Sequence, residues 1–394
     1  MGRLETQRSG RRDLYLVYSA KVTRVFFSGF LSVAIASNLA QRSQDSDVFV
    51  GLALIAILGG GAASNLFLTF MGGRIARRRS LQVFSLLTVF SGLILFYSPS
   101  PALILAGLFL GNISTTGTEA GPYQSVEAGV LPELAGGKAA KAYGTYNVLG
   151  YAAAAVGAQA VSFGGLPGFF DAVYLGFAGE GVFLLLVYQV VSGLDARKQV
   201  GAVEVGDPAV KREILVLSLL FSADAFGGTF VSQFLLSTWF IKIYGLDLSA
   251  LGALFAGATI ITAFSIFLAP RVAARMGNLR TMVSTHLVSS AFLIFVPLAG
   301  TLPLAIAFLF LRQCFSQMDV PARQALMAEM FRPEDRVSAY ATTNIARTGG
   351  GFAGGPVAAA LLASGFVTAN IYLGGLSKMG YDVAIFLRYR KRYQ

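Results

Sequence analysis

The chain has 394 residues, 55% of them hydrophobic and 13% charged, with 31 Lys and Arg against 20 Asp and Glu for a formal net charge of +11. So much apolar surface at so little charge excludes an ordinary soluble domain and indicates an integral membrane protein. A single cysteine, Cys314, excludes an internal disulfide and a multi-thiolate metal site.

About 20 residues of helix cross the hydrocarbon core of a bilayer, so long apolar runs read as spans. In chain order twelve are expected, at residues 14–40, 48–72, 81–97, 101–130, 140–164, 168–193, 213–241, 246–270, 279–298, 302–330, 335–363 and 366–387. The runs are long and continuous and lack the short alternating pattern of a lipid-facing β-barrel, so the fold class is an all-α integral membrane protein. The basic N-terminus reads as leading into a retained first helix, since the run is too long for a signal peptide and no small-residue cleavage site follows.

Basic residues then sort by side. Arg3, Arg8, Arg11 and Arg12 precede the first span, and "GGRIARRRS" follows the second. Continuing the alternation places 23 Lys and Arg on the side of the N-terminus and only Arg42 and Lys242 opposite, so both termini are expected in the cytoplasm. This charge is a topology signal and a contact to anionic membrane lipids, and no nucleic-acid partner is expected.

An internal repeat organises the spans. "AYGTYN" at 142–147 recurs as "AYATTN" at 339–344, and "GFLS" at 29–32 corresponds to "TFVS" at 229–232, offsets of 197 and 200. "GRIARRRSL" has a partner in "ARMGNLRTM", and Pro122 lies opposite Pro321. The expected organisation is two pseudosymmetric six-helix halves, residues 1–193 and 213–394, joined by a cytoplasmic linker over 194–212.

With this duplication and topology the chain resembles the major facilitator superfamily over essentially its whole length. The family's signature between the second and third helices, G-x-x-x-D-[RK]-x-G-[RK]-[RK], keeps its basic half here in Arg74, Arg77 and Arg78, while Thr69, Gly73 and Ala76 depart from it. A degenerate second copy keeps Arg275 and Gly277. The resemblance implies solute transport by alternating access, with the first, fourth, seventh and tenth helices lining a cavity. It also assigns Arg74, Arg77, Arg78 and Arg275 to gating; Pro122 and Pro321, paired helix breaks at equivalent places of the two halves, point to a binding site or to a bending point used in gating.

Charges inside spans are costly and need a partner, water or a function. Arg24 and Asp224 fall at equivalent positions of the first and seventh spans, and they are expected either to meet across the cleft in one conformation and separate in the other, or to form a static pair within or beside one half. Glu119 and Glu127 lie roughly on one face of the fourth span, with Glu127 near its cytoplasmic end and solvated. The tenth span carries Arg312, Asp319 and Arg323, the last two spaced for an i, i+4 ion pair around Pro321. Arg347 is a deep cation in the eleventh span, suited to holding a carboxylate or phosphate. The glycines at 349–351, 354 and 355 read as a helix contact and not a phosphate cradle. His286 reads as structural, Trp239 as part of the outer aromatic belt, Lys378 and Asp382 as an i, i+4 pair near the inner end, and Lys21 as snorkelling to headgroups.

Together these features predict a secondary active transporter of the cell membrane, monomeric, coupled to protons through Glu119, Asp224 or Asp319, and exporting small amphipathic metabolites or toxicants. Uptake of a small organic anion through Arg24, Arg312 or Arg347 is the alternative, and a non-transporting sensor or scaffold is the alternative of another class. No nucleotide motif, H-E-x-x-H motif or nucleophile with a His partner is present in the sequence. Energy is therefore expected from a proton or ion gradient, with neither cofactor nor metal, and no enzyme activity is expected.

Overall fold

The computed structural model describes residues 2–44, 46–71, 74–118, 121–135, 139–194 and 207–392. All regular structure among them is helical. The first part of the chain forms α1 (Gly2–Arg42), α2 (Asp47–Met71), α3 (Arg77–Tyr97), α4 (Pro101–Leu110), α5 (Pro122–Leu134), α6 (Ala139–Ala160) and α7 (Phe169–Val190). The second forms α8 (Pro208–Thr229), α9 (Gln233–Tyr244), α10 (Leu248–Met276), α11 (Asn278–Leu298), α12 (Leu302–Phe315), α13 (Asp319–Met330), α14 (Pro333–Ala363) and α15 (Val367–Tyr389).

Three of the expected spans are divided: the fourth into α4 and α5, the seventh into α8 and α9, and the tenth into α12 and α13. The prolines explain two of these restarts. Pro122 opens α5, and Pro321 falls in the first turn of α13, positions whose N–H has no partner within the helix, so its absence costs nothing there. Between α4 and α5 the chain passes through left-handed backbone at Asn112 and Gly117. Ser114 Oγ donates to the carbonyl of Thr118 at 3.0 Å, satisfying a backbone group that the helix no longer serves. Non-helical backbone at membrane depth is tolerated only against protein or a water-lined cavity, so the breaks point inward.

Among the described residues seven helical segments are long and apolar enough to cross a membrane: Gly10–Arg42, Asp47–Met71, Arg77–Tyr97, Phe169–Val190, Pro208–Tyr244, Leu248–Met276 and Asn278–Leu298. Of the other five expected spans, two are the divided α4/α5 and α12/α13. The remaining three are diluted by Ala, Gly and polar residues in α6 and α14, or by Lys378 and Asp382 in α15.

The chain forms two compact units, Met1–Gly201 with Leu246–Ala256, and Ala202–Gly245 with Gly257–Gln394. Residues 195–206, most of the expected linker, lie outside the described residues. In the first unit α1 packs on α6 and α3 on α7, and in the second α8 packs on α14 and α11 on α15. Both units make the first crossing in the same way. Gly157 of α6 lies so close to the carbonyl of Phe26 that a Cβ would overlap it, and Gly354 of α14 lies against the carbonyl of Phe226. These two contacts reproduce the offsets of 197 and 200 seen in the sequence repeat. Gly350 meets the backbone of Ser222 just as closely, so the glycine run serves a helix contact.

Trp239 departs from its expected place in an interfacial belt. It is 1% exposed, packs edge-on to Phe240 and Tyr244, and donates Nε1–H to Thr368 Oγ1 at 3.0 Å. The break before α9 turns this helix into the second unit, which gives the indole a buried partner.

Adjacent glycines test the crossing. Gly350→Ala places a methyl against the Ser222 backbone and is expected to destabilise the protein by about 1–3 kcal/mol, whereas Gly349→Ala meets nothing within 4 Å and is expected to be neutral or stabilising by up to about 1 kcal/mol. Thermal unfolding of the purified protein distinguishes them, and equal midpoints would remove the contact as a determinant.

Candidate functional site

In the first unit a buried charge cluster forms around Arg24 and Glu127. Arg24 of α1 grips Glu127 of α5 through two bonds, Nη1 to Oε1 at 2.9 Å and Nη2 to Oε2 at 2.5 Å. Tyr188 of α7 donates to Oε1 at 2.8 Å and Tyr146 of α6 to Oε2 at 2.7 Å. A carboxylate offers about four lone-pair sites, and here all four are used. Glu127 is fully buried and Arg24 is 3% exposed, which overturns the expectation that Glu127 is solvated. Because the helix restarts only at Pro122, Glu127 lies in the second turn of α5 and faces Arg24, and not along a continuous span toward the cytoplasm. Lys21 is buried as well, with Nζ 4.6 Å from the centre of the Tyr146 ring, so it does not snorkel.

Arg24 therefore has its partner within the first unit, and Asp224 of α8 has its partners within the second. Lys378 Nζ of α15 is 2.9 Å from Asp224 Oδ1, and Arg347 Nη1 of α14 is 3.0 Å from Oδ2. Arg323 Nη1 of α13 is 3.4 Å from Oδ2 and 3.3 Å from Asp319. In this structure Arg24 and Asp224 are each paired within their own unit.

The network continues through residues that sequence reasoning set aside. His286 of α11 places Nδ1 2.8 and 3.0 Å from the two carboxylate oxygens of Asp382. Its Nε2 is 3.2 Å from Lys378 Nζ and 3.6 Å from Asp224 Oδ1. Lys378 and Asp382 both turn into this cluster, to Asp224 and His286 respectively, and His286 has the acidic neighbours it lacked in the linear sequence. Asp382 is fully buried, whereas Arg347 retains 29% of its side-chain surface and is the most open of the charged groups paired with Asp224.

The remaining sequence candidates are placed as follows. Arg312 stays outside this network and bonds Gln313 Oε1 at 2.6 Å. Glu119 lies outside the described residues. Arg77 pairs with Glu133 at the end of α5 at 3.1 Å. Arg78 donates to the carbonyls of Gln189 and Val191, closing the C-terminus of α7. Arg74 and Arg275 are exposed. At the corresponding place of the second unit Asn278 Nδ2 donates to Glu329 Oε1 at 2.5 Å. A small pocket of about 60 Å³ in the first unit is lined by Lys21, Thr118, Gln124, Asn147 and Tyr151 among others.

The sequence profile described as Major Facilitator Superfamily matches residues 17–355 and again 217–392. The chain belongs to that superfamily. It is similar, at 23% identity over 381 residues covering 86% of this chain and 85% of the relative, to an uncharacterized membrane protein of Saccharomyces cerevisiae. Its fold is that of solved transporters. The nucleoside transporter NupG superposes with a TM-score of 0.74 at 12% identity, covering 97% of this chain and all of the other. A bacterial homologue of the iron transporter ferroportin, in an inward-facing state, superposes with a TM-score of 0.70 at 12% identity, covering 97% and 99%. A bacterial homologue of the human lysosomal transporter Spinster gives 0.68 at 14%, covering 98% and 99%. The protein is thus a multi-pass membrane protein with the twelve-helix fold of superfamily secondary transporters.

The saturated Glu127 cluster makes a direct prediction. Glu127→Gln leaves the Arg24 charge buried without its counter-ion, and is expected to destabilise the protein by roughly 3–5 kcal/mol, while Arg24→Met with Glu127→Leu recovers most of that loss. Detergent-solubilised thermal stability reads both variants. A single mutant as stable as the wild type would contradict the pairing.

Proposed function

We propose that this superfamily member is a proton-coupled secondary transporter of the cell membrane, with both termini cytoplasmic, that takes up a small organic anion by alternating access. The observation that carries the reading is Arg347: a cation held to Asp224 at 3.0 Å that still keeps 29% of its side chain exposed. A guanidinium in that position can exchange an internal carboxylate for a carboxylate or phosphate of a solute, at little net change in charge pairing. This cation favours the anion over the amphipathic solutes expected from the sequence. The alternation of 23 basic residues against 2 supports the orientation. The named solutes of the solved relatives differ from one another, and none is transferred here.

Asp224 then serves as the coupling carboxylate. Its charge is exchanged between internal cations and a proton-dependent partner as the solute arrives.

Reconstitution into proteoliposomes tests this. A panel of radiolabelled lactate, benzoate, succinate and glucose 6-phosphate is expected to include a solute accumulated under an inward-directed pH gradient. Arg347→Gln is expected to weaken that uptake about 10- to 100-fold, the loss of one charge-assisted contact, and Asp224→Asn to abolish gradient-driven accumulation. Accumulation that survives collapse of the pH gradient would remove proton coupling. Accumulation of neutral amphipaths with no anion of the panel would remove the proposed substrate class.

A further inference from the structure

The single histidine of the chain lies 3.6 Å from the Asp224 oxygen that Lys378 holds at 2.9 Å. His286 Nδ1 faces both oxygens of Asp382 at 2.8 and 3.0 Å, so it carries a hydrogen and donates. On the other side Lys378 Nζ is 3.2 Å from Nε2. An ammonium only donates, so Nε2 presents its lone pair and the ring is neutral, with the proton on Nδ1. The groups facing the ring are Asp382, Lys378 and the edge of Tyr381 from α15, and Asp224 from α8. Beyond Asp224 stand Arg347 of α14 and Arg323 with Asp319 of α13. In this state three carboxylates face three fixed cations, and the cluster is neutral.

We propose that His286 is the group that takes up the transported proton, and that it does so by replacing Lys378 on Asp224. The proposal rests on the coupled anion transport argued above. The Nε2 lone pair accepts a proton delivered from water while Nδ1 keeps its own, and the ring becomes a cation. Two cations 3.2 Å apart repel, so the proton enters as the ammonium withdraws. Asp224 Oδ1, bound by Lys378 at 2.9 Å and only 3.6 Å from Nε2, is the oxygen that changes partner. A solute anion that draws Lys378 or Arg347 away from Asp224 leaves a negative charge that the proton on His286 compensates. One proton thus accompanies one monoanion in the same direction, and the cluster remains neutral throughout.

A chain with one histidine allows a direct test. The full-length protein is labelled with nitrogen-15 histidine, purified through a tag free of histidine, and studied in lipid nanodiscs. At neutral pH the wild type is expected to show the tautomer with hydrogen on Nδ1 and a bare Nε2. At the same pH Lys378→Gln is expected to show hydrogen on both nitrogens in a larger fraction of molecules. A wild-type ring with hydrogen on Nε2, or a Lys378→Gln spectrum identical to wild type, overturns the proposal. The wild-type spectrum decides the first point even where the variant does not fold. In the proteoliposome assay His286→Gln is expected to lose at least 10-fold of the gradient-driven accumulation of the panel anion. If His286→Gln keeps full coupling, this inference falls and proton-coupled transport stands. If the wild type shows no coupling at all, that functional reading falls, while the tautomer measurement remains informative about His286.

Discussion

Charge inside a membrane protein persists only where its counter-charge is within reach, and the architecture of this chain follows from how each unit meets that demand. In the first unit the demand is met at Glu127, where every lone pair is used. Glu127 accepts four hydrogen bonds from α1, α6 and α7, and the aromatic faces of Tyr123 and Tyr146 lie beside the cations Arg24 and Lys21. A carboxylate with no spare lone pair has no place for a proton or a solute, so this cluster fixes the relative positions of four helices. In the second unit Asp224 is shared among three cations and a histidine at distances from 2.9 to 3.6 Å. Sharing of this kind leaves several arrangements close in energy, which is what a coupling element requires.

The two clusters are related by the repeat, with their signs exchanged. At the repeat offset of 200 Arg24 corresponds to Asp224, and Glu127 and Arg323 lie on the corresponding helices α5 and α13. The first unit therefore pairs a cation on α1 with an anion on α5, and the second an anion on α8 with a cation on α13. Duplication preserved the geometry of the pair while the chemistry at each end changed. The added partners Arg347, Lys378 and His286 belong to the second unit alone.

What was legible in the sequence follows the range of the physics involved. Apolar runs and the repeat are local or periodic signals, and they anticipated the all-helical fold, helix breaks associated with Pro122 and Pro321, and a close helix contact at the glycines of α14. Depth along a span was harder to read. Glu127 was placed at a solvated end because a broken helix counts residues differently from a continuous one. The second-unit cluster was the least visible part. Lys378 and Asp224 are 154 positions apart and His286 and Asp382 are 96 apart, so only the fold reveals them as neighbours. An i, i+4 spacing between Lys378 and Asp382 suggested a self-contained pair, but each residue found a stronger partner across a helix interface. One signal was available: a lone histidine in an apolar span, which pays for its burial only with nearby charge.

The position of Asp224 gives that cluster its leverage. Its carboxylate is bonded directly from α13, α14 and α15 while itself belonging to α8, and His286 brings α11 within reach. A change in which cation holds Asp224 is therefore felt by every one of these helices at once. Two of them meet at a backbone contact too tight for a methyl group, where Gly350 of α14 lies against Ser222, two residues before Asp224. Close packing of that kind transmits a shift because it has no slack to absorb one. The helix break before α13 supplies the opposite property, a joint at which Arg323 and Asp319 can reorient without bending a continuous helix. Asp224 thus stands between a tight helix contact on one side and a broken helix on the other.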